Sequence, residues 1–250
     1  MLINKVIGIG WDVGGWCGKK QGIAVSSWDQ QTSKIEWLGM PKTISLPTYP
    51  DFTPEYILNN IYDLKNENFD NVCIVVGIDA PLAFPEEFIK IATGRNDEQE
   101  FKLNFIKEID NPLAYRETER YIFNKYGKKP LSASFDKLGN NCTVALAHIK
   151  NWRKHHGFMI HPFEGSLRDN KSVIEVYPGI EKIKKDTFGM LQNRLPSQLI
   201  INSDEYDAAI CSLLALSYGA AGCGGLLPEL KGPMIPEGIF KSEGWIYHSK

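Results

Sequence analysis

No apolar run in this chain approaches the roughly 20 residues that a membrane-spanning helix needs. Its start, M-L-I-N-K-V, carries neither the apolar core nor the cleavage site of a secretory leader. Cysteine is scarce and unpatterned: Cys17, Cys73, Cys142, Cys211 and Cys223 make an odd number without C-x-x-C spacing. That argues against a zinc ribbon or a disulfide framework, so the expectation is reduced core thiols in a cytoplasmic protein with no membrane partner. An excess of either charge is also missing, since 28 Lys and Arg face 30 Asp and Glu for a net −2. No global basic field advertises nucleic acid, although net charge says nothing about a local patch. His155, His156 and His161 lack H-E-x-x-H spacing and read as surface or interface histidines. Internal repeats, low-complexity segments and interdomain linkers are absent too. With 43% hydrophobic residues, the 250-residue chain reads as a single domain over 1–250 with a substantial core.

What the chain does have is a set of apolar strands that each end in an acid. The run V-C-I-V-V-G-I-D-A-P-L at 72–82 is apolar and β-branched until it meets Asp79 and Pro81. A run of that kind predicts a strand buried on both faces, with Asp79 at its C-terminal edge, where open α/β sheets place their ligands. V-I-G-I-G-W-D at 6–12 and V-I-E-V-Y-P at 173–178 repeat the arrangement with Asp12 and Glu175. Strands are also predicted at 22–28 and 35–40, giving an antiparallel meander of three strands with the first. A loop from 41 to 53 leads to a helix with Thr53 as N-cap and Pro54 at its first position. From roughly 83 to 171 the pattern turns helical, with candidates at 85–92, 97–109, 112–126 and 142–156, and reads as a helical insertion. A helix over 179–190 follows the 173–178 strand. Another, S-D-E-Y-D-A-A-I-C-S-L-L-A-L-S-Y, covers 203–218, and the aromatic segment 244–248 adds an edge strand or packs across the sheet.

The last long helix carries the fourth acid. Asp207, Cys211, Leu214 and Tyr218 recur at helical spacing on an otherwise apolar face, with Asp204 one turn earlier. A carboxylate on a docking face is costly unless it is paired or binds a metal, whereas Asp204 could equally be a first-turn acid favoured by the helix dipole. Acids gathered at one sheet edge repel each other unless a cation neutralises them, and hard Mg²⁺ or Mn²⁺ prefers such oxygens. The expectation is metal-assisted phosphoryl chemistry. Asp12, Asp79, Glu175 and Asp207 are its catalytic acids, and Asp12, Asp79, Asp204 and Asp207 its metal ligands. Arg116 and Arg120 fall four apart on a predicted helix and either bind substrate phosphate or pair with Glu117 and Glu119. The loop K-K-P-L-S-A-S at 128–134, and Lys19 with Lys20, could rim a substrate but read by default as solvated. The scattered Trp and Tyr residues read as core rather than as a base-stacking platform.

The order of meander, helix, acidic strand, later strand and D-x-x-D helix resembles the ribonuclease-H-like fold. D-x-x-D-A at 204–208 looks like the last helix of the Holliday-junction resolvases of that superfamily. More narrowly the chain resembles the family called domain of unknown function 429, described as predicted ribonuclease-H-like nucleases. The matching motifs are G-W-D-V-G-G (10–15), G-I-D-A-P-L (77–82), Y-R-E-T-E-R (115–120), V-I-E-V-Y-P (173–178) and D-E-Y-D-A-A (204–209). The resemblance implies an α/β fold with a mixed five-stranded sheet flanked by helices. It also implies a divalent-metal-dependent nuclease or related phosphodiester hydrolase acting on nucleic acid or a nucleotide. Two other readings stand beside it. G-W-D-V-G-G also resembles the first phosphate loop of actin-like and sugar-kinase proteins, with A-A-G-C-G-G at 220–225 as a second loop, which would make the chain an ATP-binding phosphotransferase. The other reading is a catalytically inactive ribonuclease-H-like scaffold that binds a partner through its insertion. Substrate identity and oligomeric state leave no trace in the sequence.

Overall fold

The computed structural model describes residues 4–16, 20–65, 69, 71–95, 105–134, 138–164 and 170–250. The chain begins β1 (Lys5–Asp12), β2 (Gln21–Asp29) and β3 (Lys34–Trp37), the meander that the alternating patterns predict. The loop expected at 41–53 contains a further short strand, β4 (Lys42–Ile44), paired with the start of β2. The helix α1 (Pro54–Tyr56) starts as its sequence dictates: the Thr53 hydroxyl accepts the Tyr56 amide at 3.0 Å, and Pro54 needs no partner for a missing N–H. It runs on as a π-helical turn, Ile57–Ile61. Then comes β5 (Val72–Asp79), the acidic strand.

The insertion holds α2 (Glu86–Ala92), a 3₁₀ turn (Glu108–Asp110), α3 (Glu117–Tyr126), α4 (Leu138–His156) and the two-residue β6 (Met159–Ile160). Of the helix expected at 97–109, residues 97–104 lie outside the described residues, as do Cys17 and Lys19. The sheet resumes with β7 (Lys171–Val176). The single helix expected at 179–190 is two, α5 (Pro178–Glu181) and α6 (Lys185–Gln192), and Lys182 sits at the C-terminal end of the first. After α7 (Asp204–Gly219) come β8 (Leu230–Lys231), α8 (Glu237–Glu243) and β9 (Ile246–Ser249).

The strands form one mixed sheet in the order β3-β2-β1-β5-β7-β9-β8, with β4 on β2 and β6 on β7. The five strands expected from the sequence, β3-β2-β1-β5-β7, thus make up one side of a sheet that has nine strands among the described residues and continues past β7 into β9 and β8. Of the extra strands, β9 falls on the aromatic segment expected to add a strand, whereas β4 and β8, three and two residues long, are too short for an alternating pattern to declare them. β9 is not an edge strand, because β7 and β8 flank it.

Alternation along β1 and β5 divides the core. Ile7, Ile9, Trp11, Ile74, Val76 and Ile78 pack under the α1 and α4 layer with Leu58, Val144 and Trp152. On the opposite face, Val6, Cys73 and Val75 meet Ile210, Cys211, Leu213 and Leu214 of α7. The described cysteines, Cys73, Cys142, Cys211 and Cys223, are buried thiols, as expected. Among the described residues no helix is long and apolar enough to cross a membrane.

Candidate active site

On its α7 face β1 presents Gly8, Gly10 and Asp12, and β5 presents Gly77 and Asp79. The glycines determine how near α7 can lie. A Cβ at Gly10 would fall 1.9 Å from the Ala208 carbonyl oxygen, and one at Gly8 would fall 2.3 Å from that of Ser212. Gly77 and Gly22 are equally close to Cys211 and Asp204. Backbone therefore rests on backbone. The Ser212 hydroxyl fastens the contact by donating to the Gly8 carbonyl at 2.8 Å and lying 2.7 Å from the Ser26 hydroxyl. Ser203 caps the helix, accepting the Tyr206 amide at 3.2 Å, so Asp204 is a first-turn acid rather than the cap. This packing brings the first two turns of α7, with Asp204 and Asp207, up to the ends of β1 and β5.

Asp12 and Asp79 are register partners on adjacent parallel strands, so their side chains leave the same face side by side. Burial, reinforced by the charges of Asp207 and Asp204, pushes the Asp12 carboxyl up to about 7. Burial, with the charges of Asp12 and Asp207, raises Asp79 well above the carboxylate range. The opposing influence is Lys182, whose ammonium forms an ion pair with Asp207 at 2.5 Å and donates to Asn202 Oδ1 at 2.9 Å. It lowers both strand acids. Tyr177, at the end of β7, is held up to about 12 by burial and then by Asp79 and Asp207. A cavity of about 130 Å³ opens on Asp12, Asp79 and Tyr177 and is lined also by Glu175, Asn141 and Leu131, while Asp204, Asp207 and Lys182 are not among its lining residues.

Three sequence expectations change. Glu175 lines the cavity, but neither of its oxygens is free. Oε1 is 2.5 Å from Arg116 Nη2, and Oε2 accepts Arg116 Nη1 and the Leu82 amide, each at 2.9 Å. Arg116 is 0% exposed, so it offers no surface to a substrate. Its guanidinium is consumed inside the protein by Glu175, by Glu119 through Nε at 2.8 Å, and by the Glu243 carbonyl at 3.0 Å. The Glu243 carboxylate in turn accepts the amides of Glu86 and Glu117 at 2.8 Å. The pair thus anchors the insertion to the sheet edge. Arg120 pairs with Glu117, the alternative its spacing allowed. His161, expected at the surface, is buried 3.2 Å from the Ser172 hydroxyl.

The structure also brings in residues that spacing did not single out: Lys182, Tyr177, Asn141 and the glycine ladder. Asn141, in the first turn of α4, donates to the Val13 carbonyl just past Asp12. The glycines were visible in G-I-G-W-D and V-V-G-I-D, alternating with apolar residues ahead of each acid. By contrast the loop at 220–225 lies beyond the far end of α7, about 20 Å along the helix from Asp207 at 1.5 Å per residue.

The donor set suits a hard divalent cation in kind, being all carboxylate oxygen and mutually repelling. Among the described residues, however, no three His, Cys, Asp or Glu side chains stand as a group around one point. Lys182 supplies the positive charge on Asp207 instead. The chain matches no protein-family model, no curated protein and no solved structure.

Proposed function

We propose that this protein is a divalent-metal-dependent phosphodiester hydrolase, a nuclease of ribonuclease-H-like architecture. The observation that carries the reading is the pairing in register of Asp12 and Asp79 beneath the first turns of a helix, carrying Asp204 and Asp207, that a glycine ladder seats against both strands. The order β3-β2-β1-β5-β7, with α7 crossing β1, β2 and β5, supports the architecture. Two carboxyls raised above their ordinary range, first by burial and then by neighbouring acids, are a poor arrangement for stability alone.

Asp12, Asp79 and Asp207 hold Mg²⁺ or Mn²⁺ in this reading, with Asp204 one turn away as a further ligand. The ion supplies Lewis-acid stabilisation of the charge that builds on a phosphoryl oxygen. Lys182 neutralises Asp207 through its ion pair and is the cation that a bound metal would have to compete with there. Tyr177 and Asn141 bound the cavity and orient what enters it. Arg116 and Glu175 act only by holding the rim in place.

Calorimetric titration of the purified protein with MnCl₂ at neutral pH tests the reading directly, and an absence of binding overturns it. The Asp79→Asn variant should keep its circular dichroism spectrum while losing Mg²⁺- or Mn²⁺-dependent cleavage of an oligonucleotide.

A further inference from the structure

Trp11, Trp152 and Trp245 are fully buried, as core aromatics should be. Trp16 and Tyr49 are different: they are 47% and 51% exposed, yet both pack on one buried residue, His148. The ring centroids lie 6.3 Å from His148 for Trp16 and 5.5 Å for Tyr49. Trp11 and Phe52 close on the same imidazole from within, at 5.8 and 5.3 Å. Burial lowers the His148 pKa, so the imidazole is a neutral aromatic plate at physiological pH, and its Nδ1 has no hydrogen-bond partner.

The exposed tryptophan is held, not loose. Its indole Nε1 donates to the Thr143 hydroxyl at 3.0 Å, and its amide donates to Asn140 Oδ1 at 3.2 Å. Gly15, at φ 80°, makes the tight approach possible, since a Cβ there would meet the Asn140 side chain at 2.4 Å. The adjacent Asn141 lines the carboxylate cavity. The first turn of α4 therefore forms the cavity wall and also fixes Trp16, while His148 lies about 10 Å further along the helix at 1.5 Å per residue. Asn140 and Thr143, beside Asn141 at the start of α4, thus hold Trp16, and Asn151 on the same helix donates to the Pro50 carbonyl next to Tyr49 at 3.4 Å.

We propose that Trp16 and Tyr49, backed by His148, form a stacking platform for unpaired bases of a single-stranded nucleic acid whose backbone enters the Asp12–Asp79 cavity. The assignment of the cavity to a phosphodiester rests on the hydrolase reading above; the platform itself rests on the aromatic geometry. Rigid aromatic side chains offer area at low entropic cost, and every base has a π face, so stacking binds single strands without sequence preference. In a duplex those faces are already covered.

The test is fluorescence anisotropy with a labelled dodecamer of oligothymidylate, a matched abasic dodecamer and a duplex of the same length, all in EDTA so that cleavage is not required. Wild-type protein should bind the oligothymidylate at least about tenfold more tightly than the abasic strand. The Trp16→Ala/Tyr49→Ala double variant should lose that discrimination, and Trp16→Phe/Tyr49→Phe should keep it. Equal affinity for the abasic strand, tighter binding of the duplex, no binding of either strand, or discrimination that survives the double alanine variant would each overturn the platform. The hydrolase reading fails separately. Base-dependent binding without any Mg²⁺- or Mn²⁺-dependent cleavage leaves the platform and removes the nuclease. Cleavage that ignores Trp16 and Tyr49 does the reverse.

Discussion

Asp12 and Asp79 lie directly opposite each other at the ends of adjacent parallel strands, two carboxylates in register on the face that α7 covers. Neighbouring strands stand about 4.8 Å apart, so the two charges cannot ionise independently. Much of what can be tested about this protein follows from that placement.

The first consequence is a pH dependence with a definite sign. Asp12 has a native pKa of about 7 against 3.8 for the unrestrained group, and Asp79 is shifted the same way. Between those values the native state binds more protons than the unfolded chain, so the Asp12 contribution falls as pH rises from about 4 to about 7, and Asp79 adds a fall of the same sign. In metal-free buffer Asp12→Asn should match wild type near pH 4 and exceed it at pH 8, by on the order of 2–4 kcal/mol. Urea denaturation at the two pH values measures this. A gap that does not widen with pH would mean that Asp12 is not raised. Mn²⁺ should raise the wild-type midpoint more at pH 8 than at pH 6, because binding must expel protons.

Gly10→Ala should be among the most damaging single-methyl changes in the chain. The added Cβ would sit 1.9 Å from a helix carbonyl that cannot rotate away, so α7 must lift off the sheet. Overpacking of this kind typically costs about 1–3 kcal/mol, and backbone against backbone places it at the upper end. Gly238→Ala is the control: it lies within α8 with nothing inside 4 Å, and should be neutral or stabilising by about 0.5–1 kcal/mol. Thermal melts of the two variants compare them, and equal midpoints would refute the close-packed ladder.

Removing Arg116 should behave as the loss of a buried charge. Arg116→Met strands Glu119 and Glu175, both almost wholly buried, for a cost of about 3–5 kcal/mol. Arg116→Lys should rescue little, since an ammonium cannot reproduce the forked contacts to two carboxylates. Arg120→Ala, which breaks a partly exposed pair with Glu117, should cost about 1 kcal/mol or less. Chemical denaturation of the three variants gives the ranking, and equal effects of Arg116→Met and Arg120→Ala would contradict the buried network.

The difference between these arginines shows which parts of the site were legible in the sequence. Asp12, Asp79 and Asp207 could be read because each breaks an apolar periodicity, and periodicity is local. The central strands and α7 declared themselves in the same way. The partners of Arg116 could not be read, because Glu175 is 59 positions away and only the folded chain brings them together. Both Arg116–Glu119 and Arg120–Glu117 satisfy helical spacing, so spacing alone cannot say which pair is sealed inside. Lys182 escaped for a similar reason: a lysine within the helix expected over 179–190 looks solvated until α7 is laid beside it. The short strands β4 and β8 owe their existence to neighbours already in the sheet rather than to any pattern of their own.

Lys182 gives the most discriminating prediction about the site. Its ammonium is 2.5 Å from Asp207 and holds down the pKa of both strand acids, so it stands where a divalent cation would deliver charge. A cation competing for one carboxylate repels another arriving there. Lys182→Met keeps the length and the packing over Tyr206 while removing that repulsion. Titrated with MnCl₂ at pH 8.5, the variant should bind at least about tenfold more tightly than wild type, a difference of about 1.4 kcal/mol. Metal-free, the same variant should be less stable than wild type at that pH, because Asp12, Asp79 and Asp207 then repel one another without relief. The two effects have opposite signs and one cause. Unchanged or weaker Mn²⁺ affinity, with or without the stability loss, would show that lysine and metal do not share Asp207.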